Sequence, residues 1–357
     1  MMKNINTRIL GQLGTAAVVA GTSLMEVYAV EAPLGGHNYA TAMSSQLDGN
    51  IGHLRRLRSS MGKGTPLQAK PVYAVNTIDS KAGSMTETVL TSPATRWRVG
   101  VQGFYEQTSV DGNNRGAGHD RDEAGAQLVA EYLVRDSFLV GGAVSYGRAH
   151  AKTDNARTSN EDNTRFDIYS IGKDGRWTCV NSIGMGLNYH NLHGADLDGY
   201  AINFMHETAY DLMRSESATL QVYAGVQTSW NKLDGARHRG DNYTLRVRSQ
   251  DAWATDVNMG FRYNIALPSI GSAPEGLLSL QTGAVGSVGN VNPAAKFTVD
   301  GESYRQSCAT RDRWGWEIGA GLDIPITENL ALFGTAEGII RSDSYAFDAQ
   351  LGMKMAF

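Results

Sequence analysis

The run GHLRRLRSSM sets Arg55, Arg56 and Arg58 within four positions, a patch of permanent cations suited to pairing with carboxylates. Their partners would be acids recurring in the C-terminal third of the chain, Asp256, Glu317, Asp323, Glu337 and Asp348, which share that region with Arg262 and Lys354, while Arg98 stands far upstream. HNLH offers His190 and His193 as metal ligands, with His206 as a third. Ordinary loop histidines are the stronger reading, and no cofactor or metal is expected. TDNARTSNEDN at 153–163 and VDGNN at 110–114 lack calcium-loop spacing and read as solvated loops. Cys179 and Cys308 have no metal-ligand spacing; a disulfide between them depends on geometry. No phosphate loop, nucleophile elbow or triad order occurs, so the chain is not expected to be an enzyme. A net charge of -4 and pI near 6.1 argue against a nucleic-acid partner.

The acids and bases fall within a particular kind of element. From Trp97 onward, runs of period two recur, separated by turn residues. The closing SYAFDAQLGMKMAF puts Tyr345, Phe347, Leu351, Met353, Met355 and Phe357 on one side and Asp348, Gln350 and Lys354 on the other. RWRVGVQGFYE does the same with Trp97, Val99, Val101 and Tyr105 against Arg98, Gln102 and Glu106, leaving Phe104 on the polar side. DAWATDVNMGFRYNI aligns Trp253, Val257, Met259, Phe261 and Tyr263 against Asp256, Asn258 and Arg262, and RWGWEIGAGLDI aligns Trp314, Trp316 and Ile318 against Glu317 and Asp323. About twelve such runs are present. RFDIYSIG is ambiguous in parity, and WTCVNSIGMGLNYH breaks its apolar row at Asn181.

Length and polarity decide what the apolar rows face. Strands in soluble sandwiches run about five or six residues, whereas these reach about ten, enough to cross a bilayer at a tilt. Aromatics sit at their ends, where interfacial girdles belong: Trp97, Tyr105, Trp253, Tyr263, Trp314 and Tyr345. Connections largely alternate long and short, as in a barrel with short periplasmic turns. A mean hydropathy of -0.30 without long apolar runs excludes a helical membrane protein and leaves a barrel open. The expected fold is an all-β, transmembrane, antiparallel up-and-down β-barrel of about twelve strands.

Upstream, NYATAMSSQLDGNIGHLRRLRSSM at 38–61 changes to helical spacing, with Met43, Leu47, Ile51 and Leu54 on one stripe and the arginines at its C-terminal end. Gly49 and Gly52 count against a long stable helix. About twelve strands close into a cylinder roughly 24 Å across, whose side chains leave a bore near the 10–12 Å width of one α-helix. An N-terminal basic helix in an acid-lined pore is therefore expected.

Together, SSQLDGNIGHLRRLRSSM, RWRVGVQGFYEQTSVDGN, AGAQLVAEYLVRDSFLVGGAVSYGRAHAKTD, WGWEIGAGLDIPITENLALFGTAEG and QLGMKMAF give a chain that resembles the autotransporter β-domain over about residues 38–357, the translocator of type V secretion. The resemblance implies a bacterial outer-membrane barrel that exports an N-terminal passenger. It also implies that Phe357 is the terminal signal read by the barrel-assembly machinery, and that the partners are outer-membrane lipid, that machinery and the chain's own passenger. A monomer is expected. The domains expected are a signal peptide or passenger remnant at 1–29, a passenger stub and pore helix at 30–61, a linker at 62–95 and the barrel at 96–357. No Asn-Asn pair of the kind some relatives cleave stands in the helix. The competing reading is a surface adhesin whose loops at 107–121, 232–249 and 290–309 bind other cells.

Overall fold

The computed structural model describes residues 25–61, 96–112, 117–153, 158–192, 195–239, 244–269, 274–289, 293–307 and 312–357, and the helix side chains from Tyr39 onward. The signal-peptide reading up to residue 24, the 62–95 linker, His193 and Cys308 fall outside these residues.

Helix α1 spans Met25–Ser60, 36 residues or about 54 Å. It starts thirteen residues before the periodicity at 38 suggests. It also runs unbroken through Gly49 and Gly52, for a packing reason given below. The first barrel strands are β1 (Trp97–Val110), β2 (His119–Arg135), β3 (Phe138–Thr153) and β4 (Thr158–Asp174). Next come β5 (Trp177–Leu192), β6 (Ala195–Arg214) and β7 (Ala218–Leu233). Two short strands, β8 (Arg237–Arg239) and β9 (Thr244–Val247), precede β10 (Gln250–Leu267) and β11 (Gly276–Gly289). Another short pair, β12 (Ala294–Val299) and β13 (Glu302–Ser307), precedes β14 (Trp314–Pro325), β15 (Leu330–Ile340) and β16 (Ser344–Ala356).

Twelve of these strands form a closed antiparallel barrel in which every neighbour in space is a neighbour in the chain of barrel strands, and β1 closes onto β16 from Arg98↔Ala356 to Val110↔Ser344. Closure leaves no strand edge to lipid, where each unpaired amide would cost several kcal/mol. The amide of Phe357 donates to the carbonyl of Trp97 at 2.9 Å, tying the last residue to the first strand.

The alternating rows sort as the sequence pattern implies. Leu128, Ile168, Ile183, Met259 and Leu351 are exposed on the outer wall, whereas Glu106, Glu123, Asn203, Ser229 and Asp348 are buried inside. Parity in β4, ambiguous in sequence, is settled by the helix: Tyr169 and Ile171 turn inward onto it, and Phe166 and Ile168 face out. Tyr210 to Tyr200 on β6 and Tyr263 to Trp253 on β10 are each ten residues apart. At about 3.4 Å per residue and a 40° tilt this is about 26 Å, the height of an apolar band between aromatic girdles.

Several strands continue past the outer girdle, and β6 extends from Tyr200 up to Ala195. The connections at 232–249 and 290–309, read from sequence as loops, carry β8, β9, β12 and β13, which pair into a separate four-stranded sheet at the outer mouth in the order β13-β12-β9-β8. These segments are short and mix charged with apolar residues, so no strand of membrane length shows in their periodicity.

Candidate functional site

The lumen is filled by α1. Its C-terminal end, at Met61, lies among Leu133, Leu139 and Ile171, beside the short turns; Tyr39 lies at the opposite end, against Leu233 and Leu245. The stripe Ile51, Leu54, Leu57 and Met61 packs on Val129, Leu133, Leu139, Ala143, Tyr169, Ile171 and Met205, an apolar facet of the inner wall of β2 to β6. Leu47, on the same stripe, is 2% exposed. Burying such side chains contributes about 1.5–3 kcal/mol each, enough to seat a helix that would be marginal alone.

The other faces are polar and matched by the wall. Ser45 donates to Glu161 at 2.8 Å, Asn50 to Asn231 at 2.7 Å, and Gln46 to Asn188 at 3.1 Å. His53 Nε2 meets Asp167 Oδ2 at 2.7 Å, and Asp48 meets His119 at 3.2 Å.

The three arginines make the strongest contacts. Arg55 lies 3.9 Å from Glu106 and 3.7 Å from Asp348. Arg56 pairs with Glu106, stands 3.6 Å from Glu123, and stacks 4.3 Å over the ring of Phe104. Phe104, the odd aromatic in the polar row of β1, is thus a cation-π floor for Arg56. Arg58 donates to Glu317 at 2.7 Å, pairs with Glu337, and lies 3.8 Å from Glu207. Barrel arginines share these acids: Arg121 and Arg165 each reach Glu123 at 2.7 Å, and Arg262 reaches Glu207 at 3.0 Å.

Gly49 and Gly52 mark the closest approaches of wall to helix. A Cβ at 49 would strike the Arg121 guanidinium and one at 52 would strike the Glu106 carboxylate. The glycines therefore cost helix propensity but admit the charge network directly against the helix backbone.

The acids and bases singled out in sequence all sit on the inner wall but serve different partners. Glu317, Glu337 and Asp348 meet the helix arginines. Asp256 instead faces Arg341 at 3.7 Å and Ser287 at 2.6 Å. Lys354 pairs with Glu131 at 2.8 Å, reaching from β16 across β1 to β2 and so bracing the closure seam, with Arg98 buried nearby. Asp323 and Arg262, with Arg58 and Glu337, line a crevice of about 200 Å³ left between the helix end and the β4 to β15 wall. Glu106, Glu123, Glu207, Arg121 and Arg165 complete the network, and no sequence motif marks them as members. Glu106 and Glu123 could have been found by following the polar row of their strands; Arg165 was hidden by the ambiguous parity of β4.

Trp97, Tyr105, Trp253, Tyr263, Trp314 and Tyr345 are all exposed on the outer wall, with Trp97 and Tyr263 at the short-turn end and the other four toward the mouth. His190 does not converge with His206: His190 is buried in the lumen, while His206 is on the lipid-facing side bonded to Asn181 at 2.8 Å. Among the described residues no group of three or more His, Cys, Asp or Glu could hold a metal. Cys179 is a free thiol 3.7 Å from the Thr208 hydroxyl.

At the mouth, Tyr39, Ala40 and Met43 are enclosed by Leu197, Leu233, Leu245, Val247, Ala252, Ala295 and Phe297, the inner face of the four-stranded sheet and its supports. The Tyr39 hydroxyl has three carbonyls in reach, Asp234 at 2.9 Å, Leu233 at 3.0 Å and Arg248 at 3.2 Å.

A lipid-facing twelve-stranded barrel plugged along its axis by a helix from its own N-terminal side defines an outer-membrane translocator barrel. The chain belongs to the autotransporter β-domain family, whose model, described as Autotransporter beta-domain, matches residues 99–337. The fold is similar to the translocator domain of the autotransporter NalP from Neisseria meningitidis, at 12% identity and TM-score 0.56, covering 75% of this chain and 91% of that one. It is also similar to the transport unit of the autotransporter AIDA-I from Escherichia coli, at 15% identity and TM-score 0.50, covering 75% and 92%. The β-domain of the Bordetella autotransporter BrkA gives 15% identity and TM-score 0.52, covering 73% and 100%. No curated protein matches the chain. Membership in this family places the barrel in the bacterial outer membrane.

Proposed function

We propose that the barrel exports a polypeptide joined to its N-terminal side and afterwards retains α1 as a plug. The observation that carries this reading is the polarity of the helix: Met61 lies at the short-turn end and Tyr39 under the mouth sheet, so the chain before Tyr39 leads outward. A segment threaded from the periplasmic side would come to rest in this orientation, with its upstream part outside the cell. The barrel would act as a conduit and a seal without chemistry of its own, and folding of the exported segment outside would supply direction. The partners would be its own passenger and, during insertion, the assembly machinery reading Phe357.

The test is a reporter fused ahead of residue 30, behind a working signal sequence. On intact cells the reporter becomes accessible to added protease if the barrel translocates. A reporter that stays sheltered, while the barrel itself is correctly inserted, ends this reading and favours a surface-binding barrel.

A further inference from the structure

The outward face of the mouth sheet is strongly basic and has no role in holding the helix. Register places Arg237 directly opposite Arg246, and Lys296 directly opposite Arg305. Arg248, whose amide donates to the Lys296 carbonyl at 3.3 Å, extends the same row. All five side chains are exposed on one face, while Leu245, Val247, Ala295 and Phe297 on the other face are buried. Like charges directly opposite on adjacent strands are destabilising, and here two such pairs adjoin. Among the described residues none of the five cations makes an ion pair. Arg237, Arg246 and Arg248, with Ser249 and Thr298, line an open groove of about 750 Å³, roomy enough for a phosphorylated sugar.

The location selects the anion. The sheet rises from the wall formed by β7, β10, β11 and β14, its inner face toward the helix and its basic face away from the pore axis. Trp230 and Trp253 pair across β7 and β10 in the outer girdle, and Arg248 is five residues before Trp253, at most about 17 Å of extended chain. Lys232, two residues past Trp230 on the same outer row, holds its ammonium 5.7 Å from the Tyr200 ring and continues the cations down to the lipid surface. We propose that this face binds the phosphate groups of outer-leaflet glycolipid. Lipid phosphates relieve the two like-charge pairs and anchor the mouth sheet over the helix.

The test uses the full chain in neutral detergent, after its heat-modifiable gel migration shows a folded barrel. Bisphosphorylated lipid A is the probe, with dephosphorylated lipid A and a soluble sulfated glycan as comparators. Native mass spectrometry should show lipid A retained at least about tenfold better by the natural chain than by a variant carrying R237T, R246T, K296T and R305T, with little retention of the dephosphorylated lipid. Equal retention by the two proteins, or preference for the soluble glycan, overturns the proposal. A second measurement separates binding from a structural role. Without lipid A, R246T alone should slow amide exchange in β8 and β9 by removing the repulsion from Arg237; with lipid A the order should reverse. Faster exchange in R246T under both conditions would make the arginines structural and overturn the proposal.

Discussion

Arg58 on the last turn of the pore helix and Glu317 in β14 meet at 2.7 Å although 259 positions separate them, and both are almost fully buried. Around them Glu337 and Glu207 converge on the same guanidinium. Arg58 thus holds three acids that would otherwise repel one another in a confined space. Removing one member of a buried ion pair costs about 3–5 kcal/mol, because the partner charge is left uncompensated. Arg58→Met should therefore release the C-terminal half of the helix, seen as faster amide exchange over residues 50–60 and raised single-channel conductance. Adding Glu317→Gln should recover part of that loss. A double variant as mobile as the single one would show that the two residues are not coupled.

Tyr39 gives a smaller, more local effect. Tyr39→Phe keeps the packing under Leu245 and Phe297 but removes the hydroxyl donor, a loss of about 1 kcal/mol. Tyr39→Ala also removes the ring and should cost about 3–5 kcal/mol. External protease on intact cells should cut the helix near residue 40 slowly in the phenylalanine variant and readily in the alanine one. The heat-modifiable shift of the barrel should be unchanged in both.

Gly52→Ala gains helix propensity of up to about 1 kcal/mol yet places a methyl group against the Glu106 carboxylate. Glu106 is itself paired with Arg56 and buried, so its side chain has little room to yield. The expected net effect on helix seating is a loss of about 1–2 kcal/mol, and Gly52→Leu should unseat the helix altogether. Hydrogen exchange on the assembled protein would read both, and an alanine variant more protected than the natural chain would contradict the close-approach argument.

Phe357 is 59% exposed, and its amide is tied to the fold by a backbone hydrogen bond to the Trp97 carbonyl. Phe357→Ser should accordingly change the unfolding free energy of the purified barrel by less than about 0.5 kcal/mol, as surface substitutions do. If the residue is read by the assembly machinery, the amount of barrel inserted in cells should still fall several-fold. A parallel loss of stability and insertion would make its role structural instead.

A helix that seals the bore should also control conductance. Deleting residues 1–61 removes the apolar stripe and the three arginines together, leaving the inner wall acids facing water. The truncated barrel should conduct ions with cation preference, whereas in the full chain the helix fills the bore and leaves a crevice of about 200 Å³ beside Arg58. Equal conductance in planar bilayers would mean that the helix does not occupy the pore in the membrane.

The barrel is legible in the sequence, because a side-chain period of two in ten-residue segments leaves one row for lipid and one for the lumen. That rule puts Leu351 outside and Asp348 inside without any knowledge of neighbouring strands. The sequence also shows that a basic helix precedes the barrel and that an acid-lined bore of about twelve strands has room for it. The tertiary structure alone decided which acid meets which arginine, since Arg58, Glu317 and Glu337 are brought together by closure of the ring and by the rotation of the helix within it. It likewise decided that Tyr169 and Ile171 face inward, because an apolar helix stripe makes the lumen wall locally greasy and erases the alternation that marks parity. The mouth sheet is legible only in three dimensions: its strands are short, and their pairing with one another is set by where the wall beneath delivers their ends.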